Sequence, residues 1–283
     1  MRPIEKLKPL LGTFVRIRVE GVATSKAFDA IDEAFSCIVE IHRLMSFHEP
    51  ASELSVLNRE AWRAPVKVHP HTRAVLEKAL EIARASNGLF DPTIAPWLVQ
   101  GRLLPAPAAA MPDGNATWED ILLSPDGWVR FARPLWVDLG GIAKGYAVDC
   151  ASAVLERYRP VQGCVDAGGD LRLVGPMPGR VLIDAAGPGD IPVLELQNAA
   201  VASSGSQTVA GRGRVSPHID TRTGMGCPTD RFVSVIAPRC VEADALTKVA
   251  MAAKGDCGPI LAQYGAQALL FENARWRSLA EAA

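Results

Sequence analysis

The stretch V-D-L-G-G-I-A-K-G-Y-A-V-D at 137–149 constrains the fold of this chain more than any other. Trp136 and Val137 are predicted to end a buried strand. The Gly140-Gly141 pair predicts a turn, and Ile142 opens an amphipathic helix. A strand, a glycine turn and a helix N-terminus together present free N–H groups that suit an anion such as a phosphate. A tight turn that serves packing alone explains the same residues equally well.

The composition excludes several classes of protein. The chain has 283 residues, of which 48% are hydrophobic, and a net charge of −1, so it can bury a sizeable core. No basic block suggests a nucleic-acid partner, and no apolar run approaches the roughly 20 residues that span a bilayer. No apolar signal-peptide segment follows the basic N-terminus, and the six cysteines form no C-x-x-C pair. We therefore expect a cytoplasmic protein, or a periplasmic one if a leader was removed.

The order of predicted elements indicates an α+β fold with a largely antiparallel sheet and packed helices. Amphipathic helices are predicted at 25–44, with Ser25 as the cap, and at 70–86, ended by Asn87-Gly88, and a further helix is predicted at 241–253. Strands are predicted at 14–19, 121–123, 128–131, 180–185, 193–196, 199–206, 232–237 and 266–272, and 163–174 is predicted as two strands joined by a turn at Gly168-Gly169. The Pro- and Ala-rich stretch 101–118 predicts a surface excursion or a partly disordered insertion, and a possible flap or lobe boundary.

Three residues on the predicted helix 241–253 could bind a metal ion. Residues three and four apart share a helix face, so Asp244, Thr247 and Lys248 are expected to project together. A carboxylate and a hydroxyl on one face suit a hard cation such as Mg²⁺. An ordinary Asp–Lys pair at i, i+4 explains the same residues without a metal.

Polar loops recur at the ends of the predicted strands, at 138–144, 166–170 and 218–224. His48, in a polar loop, and Asp91, in an Asp-Pro-Thr turn, are further candidates, although a solvated histidine and a helix cap explain them too. The sequence contains no G-x-S-x-G, H-E-x-x-H, Walker or G-x-G-x-x-G motif. The pattern by itself predicts a cleft enzyme that binds a phosphorylated ligand.

Eight segments taken together resemble the FAD:protein FMN transferases of the ApbE family, in that family's order and spacing. They are L-G-T-F at 11–14, M-S-F-H-E-P-A-S-E-L-S-V-L-N at 45–58, F-D-P-T-I-A-P at 90–96, V-D-L-G-G-I-A-K-G-Y-A-V-D at 137–149, D-A-G-G-D at 166–170, A-S-S-G-S at 202–206, D-T-R-T-G at 220–224 and A-D-A-L-T at 243–247. The resemblance implies a single domain over 1–283 with two lobes around a flavin-binding cleft.

The resemblance also implies an activity. With Mg²⁺, the family moves the FMN half of FAD onto a threonine or serine hydroxyl of a partner flavoprotein and releases AMP. The partner is typically an electron-transfer subunit or a reductase. An FAD pyrophosphatase, which releases FMN and AMP to water, and a non-catalytic FAD-binding protein with an altered metal site are the alternatives.

The residues that match functional positions of the family are spread along the chain. The resemblance implies that the Gly141 carbonyl and Asp244 hold the metal, with Thr247 as a further ligand, and that Asp244, Thr247 and Lys248 serve catalysis. The residues that it places against FAD are Leu11, His48, Gly88, Leu89, Phe90, Asp91, Asp138, Lys144 and His218.

Three positions depart from the family pattern. His48 replaces a stacking tyrosine, and the family's histidine position falls on Pro217, next to His218. The family's metal-binding threonine position holds Lys248, and Thr247 precedes it. One hypothesis is that the Lys248 ammonium takes part of the metal's place or pairs with Asp244, so that magnesium dependence is weaker than in the family. The alternative is that Lys248 points to solvent and Thr247 binds the metal.

Overall fold

A computed structural model describes residues 2–185, 191–209, 213–253 and 257–279 of the chain. The helices within these ranges are α1 (Thr24–Met45), α2 (Glu53–Glu60), α3 (Pro70–Ala85), α4 (Ala95–Gln100), α5 (Ala143–Arg157), α6 (Cys240–Ala252) and α7 (Gly258–Gln263). The strands are β1 (Ile4–Leu10), β2 (Thr13–Glu20), β3 (Val66–Lys67), β4 (Ile121–Leu123), β5 (Trp128–Phe131), β6 (Gln162–Ala167), β7 (Asp170–Val174), β8 (Gly179–Leu182), β9 (Val193–Leu196), β10 (Ala200–Gly205), β11 (Gln207–Val209), β12 (Gly213–Val215), β13 (Ile219–Asp220), β14 (Met225–Gly226), β15 (Phe232–Ala237), β16 (Gln267–Glu272) and β17 (Arg275–Ser278).

An eight-stranded sheet with the order β1-β2-β6-β7-β10-β15-β16-β17 forms the framework, and each neighbouring pair is antiparallel. The alternation in F-V-R-I-R-V accounts for β2, because Val15, Ile17 and Val19 are buried on one face. In the register of β2 with β6, Ile17 lies opposite Val165, which is also buried. The predicted α+β fold with a largely antiparallel sheet is confirmed.

Helices α5 and α6 cross in close contact and pack against the sheet. Gly145 makes this approach possible, because an added Cβ would lie 2.3 Å from the carbonyl oxygen of Cys240. The buried carboxylate of Asp149 accepts hydrogen bonds from the N–H groups of Cys240 and Val241, at 2.9 Å each. A side chain of α5 thus caps α6, and the cap fixes where α6 begins relative to the glycine turn.

Two local predictions are wrong. The segment at Trp136 and Val137 is buried but is not a strand, because the Asn58 side chain takes the place of a neighbouring strand. The Asn58 Oδ1 accepts a hydrogen bond from the Val137 N–H at 2.8 Å, and the Asn58 Nδ2 donates one to the Val137 carbonyl at 3.0 Å. Ser25 is not a helix cap, since α1 begins one residue earlier, after Ala23, without a side-chain cap.

The predicted excursion at 101–118 is a loop that ends in a short 3₁₀ helix, Trp118–Asp120. The Trp136 indole donates to the Ala110 carbonyl at 2.9 Å, and the Asp113 N–H donates to the Pro134 carbonyl at 2.8 Å. These bonds attach the loop to the segment that leads into the glycine turn. The prediction of a single domain over 1–283 reaches beyond the described residues and stays a prediction.

Candidate active site

A cleft opens beside the N-terminus of α5. It consists of two adjoining cavities of about 400 Å³ and 240 Å³ that share Leu104, Asp138, Gly140 and Lys144. The predicted site residues that line the larger cavity are Leu89, Phe90, Asp91, Asp138, Gly141, Lys144, His218 and Lys248. Leu11 and His48 line the smaller one, together with Asp138 and Lys144. The fold therefore gathers residues from six separate segments of the chain into one cleft.

The glycine turn presents the start of α5 to this cleft. The Asp138 Oδ1 accepts a hydrogen bond from the Gly140 N–H at 3.1 Å, and the Asp138 N–H donates to the Pro92 carbonyl at 2.8 Å. Burial raises the pKa of Asp138 above its usual value, and the bond from Gly140 offsets only part of that effect. In the first turn of α5, the Ala143 N–H donates to the Leu139 carbonyl at 2.8 Å and the Gly145 N–H donates to Asp244, so the helix dipole and Lys144, rather than free N–H groups, favour an anionic ligand here.

Lys144, in the first turn of α5, forms an ion pair with the fully buried Asp170 on β7. The other Asp170 oxygen accepts from the Ser203 N–H at 3.3 Å. Burial acts to lower the pKa of Lys144, but the carboxylates of Asp170 and Asp244 outweigh it and raise the pKa. Lys144 therefore carries a positive charge at neutral pH and presents it to the cleft.

Lys248 forms a second ion pair, with the fully buried Asp244 on the preceding turn of α6. The Lys248 side chain is only 18% exposed, so the hypothesis that it points to solvent is wrong. The Asp244 Oδ2 accepts from the Gly145 N–H at 3.0 Å, which links α6 to α5. Burial acts to raise the pKa of Asp244, but Lys248 and Lys144 outweigh it and lower the pKa.

Thr247 lies behind the cleft surface rather than on it. Its side chain is fully buried, and its hydroxyl contacts the Ser204 Oγ at 2.6 Å and donates to the Asp244 carbonyl at 2.7 Å. Within the described ranges, no three His, Cys, Asp or Glu side chains cluster as metal ligands. Because Lys248 and Gly145 engage both oxygens of Asp244, this donor set does not fit a Mg²⁺ ion in the arrangement observed.

The segment after α3 forms one wall of the cleft. Asn87 and Gly88 adopt positive φ angles of 49° and 76°, as expected for the end of a helix. The Gly88 carbonyl accepts a hydrogen bond from the Thr221 hydroxyl at 2.6 Å. This bond connects the wall to Thr221, which also lines the larger cavity. Asp91 accepts from both the N–H and the hydroxyl of Thr93 at 2.7 Å, so its carboxylate shapes the turn that follows Phe90.

His218 enters the cleft from the loop before β13, and its Nε2 lies 3.3 Å from the Gly205 carbonyl oxygen. Burial, with a further contribution from the Lys248 charge, lowers the pKa of His218 to about 3. His218 is therefore neutral at physiological pH. At the other end of the cleft, Leu11 occupies the β1–β2 turn with a φ of 55°, facing the same cavity as His48.

Comparison with known proteins agrees with this architecture. The model of the ApbE family matches residues 11–270. The chain belongs to the ApbE family.

Relatives and solved structures of the family are similar over most of their length. An FAD:protein FMN transferase of Chlamydia pneumoniae is 28% identical over 235 residues, which are 76% of this chain and 73% of that protein. One of Treponema pallidum is 28% identical over 281 residues, 87% of this chain and 77% of that protein. The crystal structure of the ApbE protein of Thermotoga maritima has a TM-score of 0.86 at 25% identity, covering 99% of this chain and 97% of that one.

The sequence of this ApbE family member did not reveal every residue of the cleft. The D-A-G-G-D motif contains Asp170, but no spacing rule pairs it with Lys144, which lies 26 residues earlier. Leu103 and Leu104 line the cleft from an irregular loop, where periodicity gives no signal. The roles predicted for the site residues, including metal binding by Gly141, Asp244 and Thr247, stay predictions.

Proposed function

We propose that this protein transfers FMN from FAD to a threonine or serine hydroxyl of an acceptor flavoprotein and releases AMP. The names of its relatives support the reaction. The acceptor proposed is an electron-transfer subunit or a reductase, as the resemblance implies. Within the described residues, no helix is both long and apolar enough to cross a membrane.

One observation carries the proposal: two lysines and the N-terminal end of α5 meet at the floor of a cleft that is lined by apolar side chains. Lys144 and Lys248 present positive charge beside the start of α5. Apolar side chains also line the larger cavity, namely Leu89, Phe90, Ile94, Leu98, Leu103 and Leu104. FAD has a matching pattern, because a diphosphate joins two largely flat ring systems.

The reaction is a displacement at phosphorus. The acceptor hydroxyl oxygen forms a bond to the phosphorus on the FMN side of the diphosphate, and the anhydride bond to the AMP phosphate breaks. The hydroxyl proton passes to solvent, and AMP leaves. Because the transition state spreads negative charge over the phosphoryl oxygens, the chain contributes by orienting the diphosphate and by neutralising charge through Lys144 and Lys248.

Magnesium dependence is a separate part of the proposal. The resemblance implies Mg²⁺ at Asp244 and the Gly141 carbonyl, whereas the Lys248 ammonium and the Gly145 backbone N–H each engage one oxygen of Asp244. No step above therefore depends on a metal ion. The acceptor supplies the nucleophile, so this chain needs no serine or cysteine nucleophile of its own.

Product analysis tests the proposal. Purified protein is incubated with FAD, with and without an acceptor domain that carries the target threonine, and AMP and free FMN are quantified. We expect AMP only with the acceptor, no free FMN, and no AMP with the acceptor's Thr→Val variant. AMP and FMN in equal amounts without an acceptor would instead identify a pyrophosphatase. Bound FAD without either product would identify a binding protein.

A further inference from the structure

The Lys248 side chain extends from α6 to the glycine turn at Gly140-Gly141. A Cβ added to Gly141 would lie 3.4 Å from the Lys248 Cε and 3.6 Å from its Cγ, so the lysine stem runs along the backbone of the turn. The Phe90 ring lies on the same side, with its Cε2 also 3.4 Å from that point. The ammonium is thereby held in the cleft, next to Asp244.

We infer that the Lys248 ammonium is a built-in cation that binds the diphosphate at the place where the family resemblance implies a metal ion. The inference rests on the proposed function, because it takes the diphosphate of FAD as the ligand. An ammonium has three N–H donors, and the ion pair with Asp244 uses one of them. The others are available to phosphate oxygens at the floor of the cleft.

The charges nearby explain why this cation matters. Lys144 and Lys248 are balanced by the buried carboxylates of Asp170 and Asp244, so these four groups carry no net charge. With a neutral residue at 248, they would carry one negative charge and would repel a diphosphate. Asp244 thus orients the ammonium, and the ammonium occupies the carboxylate oxygen that a metal ion would need. The protein is expected to bind FAD with little dependence on divalent metal.

Equilibrium binding of FAD, measured by flavin fluorescence in EDTA and again in millimolar Mg²⁺, tests this inference without requiring turnover. For the wild-type protein, we expect the two Kd values to agree within about threefold. Lys248→Met keeps the stem but removes the charge, and should weaken binding in EDTA by about tenfold or more, because charge-assisted hydrogen bonds are lost. Lys248→Arg keeps the charge and should retain most of the affinity in EDTA. Lys26→Thr, on the exposed surface of α1, is the matched control and should bind FAD like wild type.

Lys248→Thr separates the roles of charge and metal. It restores a hydroxyl at the position where the family has its threonine, so we expect weak binding of FAD in EDTA and recovery in Mg²⁺. Calorimetry with Mg²⁺ alone should detect binding to Lys248→Thr and none to wild type. Far-UV circular dichroism and thermal unfolding verify that each variant is folded.

Three results would overturn the inference. The first is an affinity of the wild-type protein for FAD that collapses in EDTA. The second is a folded Lys248→Met variant that binds FAD as tightly as wild type in EDTA. The third is Mg²⁺ binding by the wild-type protein that is lost in Asp244→Asn. Failure of wild type to bind FAD in either buffer would overturn the proposed function, and the inference with it. Metal-independent FAD binding without labelling of an acceptor would support the inference while contradicting the transferase proposal.

Discussion

At the scale of single residues, Lys144 carries the most specific expectation. Its ammonium is oriented by Asp170 and faces the cleft beside the start of α5. Lys144→Met should weaken FAD binding by about ten- to a hundredfold, because a charge-assisted hydrogen bond is lost. Asp170→Asn leaves the ammonium in place and should cost less affinity. Fluorescence titration with FAD measures both, and equal affinities for wild type and a folded Lys144→Met would contradict the role of this lysine.

The neutral state of His218 predicts how stability depends on pH. With a pKa of about 3 in the folded protein, and about 6.5 in the unfolded chain, only the unfolded chain takes up this proton as pH falls below 6.5. The contribution of His218 to the stability of the folded protein is therefore fully present above pH 6.5 and decreases as the pH falls towards 3. Between pH 7.5 and 5.0, His218 should account for a loss of about 1–2 kcal/mol in the free energy of unfolding.

The variant His218→Gln isolates this contribution. Urea unfolding at pH 7.5 and pH 5.0 should show a smaller acid-induced loss of stability in the variant than in wild type. An equal loss in both proteins, or an NMR titration of the His218 ring with a pKa near 6.5, would show that the imidazole is not held neutral.

At the scale of elements, the irregular segment before the glycine turn depends on Asn58 of α2. Asn58→Ala would leave the buried N–H and carbonyl of Val137 without partners. The free energy of unfolding should fall by about 2–4 kcal/mol, since each buried unsatisfied group costs about 1–3 kcal/mol. Urea denaturation measures the loss. Asn115→Ala, at an exposed loop position, is the control and should change stability by less than about 0.5 kcal/mol.

The individual helices and strands also show which parts of the fold could be predicted from the sequence. The sequence pattern located α1, α3, α5 and α6 and most strands of the main sheet; α1 and α3 each bury a regular apolar face, whereas α6 is buried on nearly all sides. It missed β1, whose residues are mostly exposed. It also predicted a strand at Trp136–Val137, where the buried backbone is instead hydrogen-bonded by the distant Asn58 side chain. Strand β1 is ordered by pairing with β2 along its whole length, and a local pattern does not report such pairing.

For the candidate site, sequence motifs identified the residues that line the cleft but not the side chains with which they form ion pairs and hydrogen bonds. The cleft brings Lys144 and Lys248 together with Asp170 and Asp244 across a hundred residues of sequence. The two ion pairs and the buried position of the Thr247 hydroxyl depend on how α5, α6 and the sheet pack. Helical spacing placed Thr247 and Lys248 on one face, whereas packing against Ser204 turns the hydroxyl inward and leaves the ammonium in the cleft.

At the scale of the whole molecule, the fold joins the two cavities into one cleft. The two cavities join side by side and share the glycine turn, so a ligand could extend from His218 at one end to His48 at the other. FAD would lie along this path with its diphosphate over the lysines. Under the proposed function, an acceptor hydroxyl would attack the bound diphosphate, and the chain would contribute orientation and charge rather than a nucleophile.

The mass of an acceptor protein after incubation with this protein and FAD tests the central proposal most directly. Intact-protein mass spectrometry should show one added FMN on the acceptor, in-gel fluorescence should report it as flavin, and peptide mapping should place it on a threonine or serine. The acceptor's Thr→Val variant should stay unlabelled. An unmodified acceptor in the presence of bound FAD, with the wild-type protein folded, would contradict the transferase function.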